Sequence, residues 1–508
     1  MRYRFALRLL LAGLLVALTL ALAACGGGGG GGGGAAVPEG AQLVPADTPL
    51  FIAANTDFES AQWKALEELF NRFPSGNGAI QSILKQFAGE GVDVETELKP
   101  AFGPETDLAI LELSSEKLAS VENAPVVLLT KPSDPAKLEA LLAKGKDKAV
   151  WKVTGDGWYV VADNEQIIDR VLSGSDAGSL ADSDAFRGAM EGVSEDAVAK
   201  LYLNGAPLIE AFKQGLQQSA QGLDLGSLGA GTLQSAALAV TAEPQGVRLE
   251  GVSKTEGAPE LPTYAATLPS VVPSGALLFA SFSNLKTSLQ QFLDLVAKQT
   301  PDFEKQLGQV ELGLGVSVDN DVLPLFEGEH ALYVRPGVPI PEVTLLLSPA
   351  DPQRGLATLD KLTNGIGVLA GLSGGESPLT VTDTSIAGVP AKQLTFSGQK
   401  FSLYYAQVGQ NLVLTTALQG IADLAAPAGH LADDPLFQEA SDAAPLPNES
   451  LGFLYVDLRD GLSLLEQLDA FKNANQGTVE NLRPLQYLVA YATGEKDEIS
   501  FSGFLGVK

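Results

Sequence analysis

The chain has 508 residues, a formal net charge of -28 and 45% hydrophobic residues, with one Cys and two His. A chain of this length and apolar content can bury more than one core. The negative charge, with no basic stretch to compensate it, disfavours nucleic acids and anionic lipid surfaces as partners. One Cys and two His cannot supply a Cys/His zinc site, an iron–sulfur cluster or an internal disulfide. We therefore expect no metal and no cofactor.

The first 24 residues have the layout of a secretory signal peptide. Arg2, Arg4 and Arg8 precede an apolar run over residues 9–24 that ends in small residues. The run is shorter than the ~20 residues that an α-helix needs to cross the hydrocarbon core. We therefore expect residues 1–24 to be a cleaved signal rather than a permanent transmembrane span.

The cut site resembles the lipobox of bacterial lipoproteins. It reads Leu22-Ala23-Ala24-Cys25, and Cys25 is the only Cys of the chain. The resemblance implies that the Cys25 sulfur carries a diacylglycerol and that Cys25 becomes the first mature residue. Two acyl chains are what stable membrane anchoring requires. The alternative is an ordinary cleaved signal in which the Cys is incidental.

A flexible tether follows the anchor. Residues 25–37 comprise Cys25, an uninterrupted glycine run over 26–34, and a short Ala-Ala-Val segment. Such a tract behaves as a random coil because it has no side chains to bury. We expect the globular part to lie on the extracytoplasmic face of the cell membrane, attached only through this tether.

The rest of the sequence is an internal duplication. Matching blocks occur in the same order in both halves, and the strongest pair is an apolar strand that runs into Pro-x-Asp-Pro. The matched blocks are residues 44–53 with 272–281, 92–103 with 316–327, 126–135 with 343–352, 181–186 with 432–437, and 201–204 with 454–457.

These blocks predict two tandem units, at 38–257 and 265–508, with an insertion near 364–399 in the second that forms one more hairpin. In the Pro-x-Asp-Pro blocks, we expect Asp134 and Asp351 to cap the helices that follow. Consecutive hairpins favour antiparallel pairing, because their connections are too short for parallel crossovers. The predicted class is α+β, with helices packed on one face of an antiparallel sheet in each unit.

The opening of the first unit also resembles a known family. Residues 44–51, Val-Pro-Ala-Asp-Thr-Pro-Leu-Phe, stand directly after the anchor and tether. Together with the strand-to-Asp-Pro block, they resemble the bacterial envelope-protein family of unknown function numbered 3352. The resemblance covers nearly all of the mature chain and implies an exported or membrane-attached protein. It implies no catalytic residues.

One motif fits a serine hydrolase. Residues 371–375 match the G-x-S-x-G nucleophile elbow with Ser373 as the nucleophile, and His430 lies downstream. That elbow needs a strand before it and a helix after it, whereas Pro378 discourages a helix here. We therefore interpret the segment as a loop.

Other candidate sites are weaker. His330 begins an apolar strand and is expected at its edge, and residues 319–321 (Asp-Asn-Asp) fit a polar turn better than a calcium loop. Residues 365–367 lack the flanks of a dinucleotide fold. The aromatic side chains of two matched hairpins fit either a ligand groove or the core; they are Trp151, Trp158, Tyr159, Tyr404 and Tyr405.

The sequence favours a non-enzymatic envelope lipoprotein that binds a partner protein or a ligand. Carriage of a lipid or another apolar ligand between sheet and helices is the first alternative. A hydrolase that uses Ser373 or a carboxylate pair is the second.

Overall fold

The computed structural model divides into two compact units. Unit 1 comprises Met1–Glu260, Phe471–Gln486 and Ala492–Lys508, and unit 2 comprises Leu261–Ala470 and Tyr487–Tyr491. The residues that the structure describes are 37–76, 78–88, 91–113, 124–144, 149–176, 178–210, 231–257, 261–300, 302–337, 340–372, 379–399, 401–467 and 476–508.

The first repeat contains eight strands and five helices among its described residues. In chain order they are β1 (Leu50–Asn55), α1 (Ala61–Phe70), α2 (Ala79–Ala88), β2 (Glu105–Ile110), β3 (Val126–Thr130), α3 (Pro135–Lys144), β4 (Val150–Val153), β5 (Tyr159–Ala162), α4 (Glu165–Ser175), α5 (Asp184–Met190), β6 (Ala199–Asn204), β7 (Thr232–Glu243) and β8 (Gly246–Glu256).

The second half of the chain follows a similar order with additions. Its elements are β9 (Leu278–Ser283), α6 (Leu285–Gln299), α7 (Phe303–Leu314), β10 (Glu329–Arg335), β11 (Glu342–Leu347), α8 (Pro352–Leu372), β12 (Leu379–Ile386), β13 (Val389–Phe396), β14 (Ser402–Val408), β15 (Asn411–Thr415), α9 (Leu418–Ala425), α10 (Pro435–Ala443), β16 (Gly452–Asp457), α11 (Leu458–Gln467), α12 (Gln476–Leu482), β17 (Leu485–Glu495) and β18 (Glu498–Val507).

Every strand pair of unit 1 is antiparallel, in the order β4-β5-β3-β2-β1-β6-β7-β8-β18. Unit 2 has the antiparallel order β12-β13-β14-β15-β11-β10-β9-β16. The predicted α+β class is confirmed. The β12–β13 hairpin has no counterpart among the described residues of unit 1 and lies in the stretch 364–399 where the sequence predicts an insertion.

Helix caps occur where the duplicated blocks predict them. The Asp134 carboxylate accepts the backbone N–H groups of Ala136 and Lys137 at 3.1 and 3.2 Å. In the second unit, Asp351 accepts the N–H of Arg354 at 3.0 Å. Each carboxylate satisfies donors that the first turn of a helix leaves free, so each helix begins at its Asp-Pro.

The helices of unit 1 cover both faces of its sheet, whereas the sequence predicted one covered face. Ile168 and Val171 of α4 and Phe186 of α5 pack on the face that carries Phe51. Leu84 of α2 and Leu138 and Leu141 of α3 pack on the face that carries Ile52. Both faces are covered because the central strands are apolar on both sides and lack the polar alternation of a solvated face.

The last strand of the chain belongs to unit 1. β18 pairs with β8 from Glu498↔Lys254 to Gly506↔Gly246, and the Arg72 guanidinium donates to the Val507 carbonyl at 2.6 Å. The sequence placed residues 265–508 in a single unit, whereas residues 492–508 group with unit 1. The edge of β8 presents unpaired backbone groups, and β18 satisfies them.

We predict that Asp134→Ala and Asp351→Ala each lower the free energy of unfolding by about 1 kcal/mol, because each leaves backbone donors of a helix uncapped. Chemical denaturation of each variant measures the loss. Asp134→Asn and Asp351→Asn are the controls and stay close to wild type, because Asn also caps. An equal loss in the Asn variants would show that the cap is not the cause.

Candidate functional site

The two units differ most in one face of the sheet. In unit 1 this face is covered, and its central side chains are at most 8% exposed. They are Ile52, Leu108, Ile110, Val126, Leu128, Leu201 and Leu203. A fully covered apolar face is ordinary core packing and offers no room for a ligand.

Part of the same face of unit 2 is open, whereas α8 covers the part around Leu347 and Leu412. Strand register identifies the equivalent positions. In unit 1, Ile52 pairs with Leu108 and Leu201. In unit 2, Ala280 pairs in the same way with Leu332 and Leu454. None of these positions is buried. We call the following set the open face: Leu278, Ala280, Leu332, Val334, Val343, Leu345, Leu454 and Val456.

Two members of the open face are largely solvent-exposed. Leu332 is 36% exposed and Val343 is 38% exposed, whereas their unit 1 equivalents Leu108 and Val126 are 8% and 2% exposed. Val343 pairs with Val334, which lies on the same face of β10 as Leu332. The side chains of Leu332, Val334 and Val343 are therefore neighbours on one apolar surface. Contiguous exposed apolar surface makes this face the candidate site.

The helices that follow β9 leave apolar side chains in solvent as well. None of the side chains that the structure describes in α6 and α7 is buried. Phe292 is 59% exposed and Leu312 is 85% exposed, whereas in unit 1 α1 buries Leu69 and α2 buries Leu84. The open face and this helical pair therefore lack the packing that their unit 1 counterparts have.

The opposite face of the unit 2 sheet is closed and carries a buried charge cluster. The Arg335 guanidinium lies 3.5 Å from Glu342 and 2.6 Å from Asp423 on α9. Burial raises the pKa of Glu342, and Arg335 opposes the rise. Gly420 allows α9 to approach, because a Cβ there would lie 2.6 Å from the Thr415 hydroxyl. These contacts hold α9 on the sheet, and the charged groups of the cluster pair with one another.

His330 lies in the interior and not at the strand edge that the sequence predicted. Its side chain is 0% exposed, between the rings of Phe282 and Phe326 at 5.8 and 5.9 Å. Burial lowers the pKa of His330, which the Phe326 backbone opposes. His330 is interior because it pairs with a strand on each side, with Phe282 on β9 and with Leu347 on β11.

The other sequence candidates are not brought together. Cys25 and Ser373 lie outside the described residues, and the backbone of His430 pairs with Pro273. Asp321 accepts the Ser317 N–H at 3.0 Å in a helical turn, as a polar turn would. Residues 365–367 lie inside α8.

Three of the five aromatic candidates belong to the core, and Trp151 and Tyr404 are partly buried. Trp158, Tyr159 and Tyr405 are buried. The Tyr159 hydroxyl donates to Glu139 at 2.8 Å, and the Tyr405 hydroxyl donates to Asp360 at 2.7 Å. Within the described ranges, no group of three His, Cys, Asp or Glu side chains could hold a metal ion. No helix in that part of the chain is long and apolar enough to cross a membrane.

Asp107 is a buried carboxyl group that only unit 1 has. It is 0% exposed, and neither oxygen has a hydrogen-bond partner of normal geometry in the described structure. Burial raises the pKa of Asp107 well above its ordinary value, with Glu105 and Glu39 adding to the rise and the Gly40 N–H opposing it. The equivalent position in unit 2 is Ala331, so the fold does not require a carboxyl group here.

We predict that Asp107→Ala increasingly stabilises the protein, relative to wild type, as pH rises from 4 to 9. The pKa of Asp107 is higher in the folded state than its value of ~3.9 in the unfolded state. The stability that wild type has with Asp107 protonated is therefore complete below pH ~3.9 and is lost as pH rises through the pKa of the folded state. The gain at high pH is on the order of 1–3 kcal/mol, measured by denaturation at each pH. The exposed Asp156→Ala is the control; a pH-independent difference for Asp107→Ala would contradict the prediction.

Comparison with known proteins gives a family and distant structural neighbours. The model of DUF3352, described as a protein of unknown function, matches residues 8–156 and 143–488. Crystal form III of TP0453 is 11% identical, with a TM-score of 0.23, over 44% of this chain and 82% of that chain. Crystal form IV of TP0453 is 9% identical, with a TM-score of 0.22, over 42% and 79%. No curated protein matches. The chain belongs to the DUF3352 family.

Proposed function

We propose that this protein is a lipid-anchored, non-enzymatic binding protein on the extracytoplasmic face of the cell membrane, and that the open face of unit 2 binds an apolar ligand. The observation that carries the proposal is the contrast between matched faces: Ile52, Leu108 and Leu201 are buried in unit 1, whereas Ala280, Leu332 and Leu454 are not buried in unit 2.

The chemistry of the open face favours an apolar ligand. All eight of its side chains are hydrocarbon, so it offers neither charge nor hydrogen bonds to a polar surface. Covering such side chains gains roughly 25 cal/mol per Å² of apolar area removed from water. The net charge of -28 adds a field that repels anionic molecules in general.

A partner protein is the second candidate. It is supported by Phe292 and Leu312 on the α6–α7 pair, because exposed aromatic and aliphatic side chains are typical anchors of protein interfaces. The two candidates separate experimentally, because a small apolar ligand needs only the open face, whereas a protein would also cover the helical pair.

The attachment to the membrane rests on Cys25 and the residues before it. The non-enzymatic role is supported by the contacts of the polar candidates. Asp321 lies near Lys361 and Arg354 at 3.8 and 3.6 Å, and the Arg335 cluster holds α9. These groups stabilise the fold through interactions within the chain.

We predict that Cys25→Ser abolishes acylation and leaves residues 1–24 uncleaved, because Ser has no thiol to carry the diacylglycerol. Metabolic labelling with a fatty acid and intact-mass measurement check both results. Gly34→Ser in the tether is the control and stays acylated and cleaved. A Cys25→Ser protein that is still acylated and membrane-bound would refute the anchor.

We also predict that Val343→Glu lowers labelling of the full-length protein by a photoactivatable hexadecane analogue at least about tenfold. A ligand on the open face would bury the introduced carboxylate, which costs far more free energy than the ~1.4 kcal/mol that a tenfold change represents. Val153→Glu is the matched control, since Val153 is a 51% exposed strand Val in unit 1. Equal labelling of wild type and Val343→Glu would exclude the open face as the ligand site.

A further inference from the structure

We propose that His330 is the polar recognition group of the open face and that the ligand is an uncharged amphiphile, a hydrocarbon chain that carries a hydroxyl or ester carbonyl group. The inference rests on the proposed function, since it assigns the ligand class of the same site. It goes beyond that function by naming the residue that selects the ligand.

His330 lies on the same side of the sheet as the open face. His330 pairs with Phe282 on β9 and Leu347 on β11. Leu332 lies two residues further along β10 and pairs with Ala280 and Leu345 on the same two strands. Successive side chains of a strand alternate between faces, so residues 330 and 332 share one. The imidazole therefore marks the inner end of an otherwise hydrocarbon surface.

The imidazole has no partner of normal hydrogen-bond geometry. Among the residues that the structure describes, neither Nδ1 nor Nε2 of His330 has one, although the side chain is 0% exposed. An unpaired buried polar group costs roughly 1 to 3 kcal/mol and is uncommon in folded proteins. A bound molecule with a polar group would remove this cost.

In unit 1, the polar side chain at the equivalent position has hydrogen-bond partners within the protein. The equivalent of His330 is Thr106, whose hydroxyl lies 3.0 Å from that of Thr56 and 3.1 Å from that of Thr130. The register places Leu347 at the position of Thr130, so the hydrogen-bonding neighbour is lost in unit 2. At this strand position, the polar side chain without a normal hydrogen bond therefore occurs in the unit that has the open face.

The protonation state of the imidazole restricts the ligand. Burial lowers the pKa of His330, so the ring is neutral at neutral pH and presents one donor and one acceptor. A hydroxyl group complements both, and an ester carbonyl accepts from the donor. The open face has no cation to compensate a phosphate or carboxylate, and an uncompensated buried charge is strongly unfavourable.

The approach to the ring is through aromatic side chains that are only half-buried. Phe282 and Phe326 contact the imidazole, and both retain partial exposure to solvent. The chain of the ligand would lie along Leu332 and Val343, with its polar end at His330.

The test uses the full-length protein and three photoactivatable probes that share one hexadecyl chain and end in a methyl, a hydroxyl or a phosphate group. For wild type we expect the hydroxyl probe to bind about tenfold more tightly than the methyl probe, the equivalent of ~1.4 kcal/mol. The phosphate probe should bind most weakly. Peptide mapping of the cross-link should place the hydroxyl probe on β9–β11.

His330→Phe keeps an aromatic ring between Phe282 and Phe326 but removes the hydrogen bonds. We expect it to bind the methyl and hydroxyl probes equally and to melt no lower than wild type, because it removes an unpaired buried group. His330→Gln, which keeps a donor and an acceptor, should retain part of the preference for the hydroxyl probe even if the Phe variant fails to fold.

The outcomes separate the two proposals. If no probe labels the open face, the proposed function fails and this inference fails with it. If all probes label the face but wild type shows no preference for the hydroxyl group, or if His330→Phe keeps that preference, the role of His330 is refuted while the apolar site stands. Tightest binding of the phosphate probe would also overturn the assigned ligand class.

Discussion

The structure depends on one property of β-strands: side chains alternate between the two faces of a sheet, so a sheet that is apolar on both sides must be covered twice. Phe51 and Ile52 are neighbours in β1, yet they belong to different cores on opposite sides of the sheet. Unit 1 meets the requirement with helices on both faces. Unit 2 covers one face and, through α8, only part of the other, and the open face that remains is the site proposed for the ligand.

A comparison of the two units distinguishes residues that the shared fold requires from residues that only one unit has. Glu105 and Glu329 each begin the second strand of a unit. Each accepts a backbone N–H group from the helical turn before the first strand, at 3.2 Å from Gly40 and 3.1 Å from Leu268. This contact belongs to the shared fold. His330, by contrast, is found in one unit only, and its imidazole makes no hydrogen bond of normal geometry within the described residues, so the shared fold does not require it.

Local features were predictable from the sequence, and long-range ones were not. The caps at Asp134 and Asp351 follow from neighbouring residues, and the structure confirms them. Strand register places His330 at the position of Thr106 and not at that of the neighbouring Asp107. That one-residue difference moves a side chain to the other face, and only pairing with distant strands decides it. The open face was missed for the same reason, since coverage by helices is a tertiary property.

The position of β18 has a consequence for the order in which the protein can fold. The edge strand β18 of unit 1 spans Glu498–Val507, far along the chain from β8, so a chain that emerges from its N-terminus presents the bare edge of β8 until β18 has been synthesised. Such an edge is a template for pairing with other chains, and closing so long a loop slows folding. A ribosome that stalls shortly before Glu498 would therefore release a chain in which the first repeat is fully synthesised but prone to aggregate along that edge.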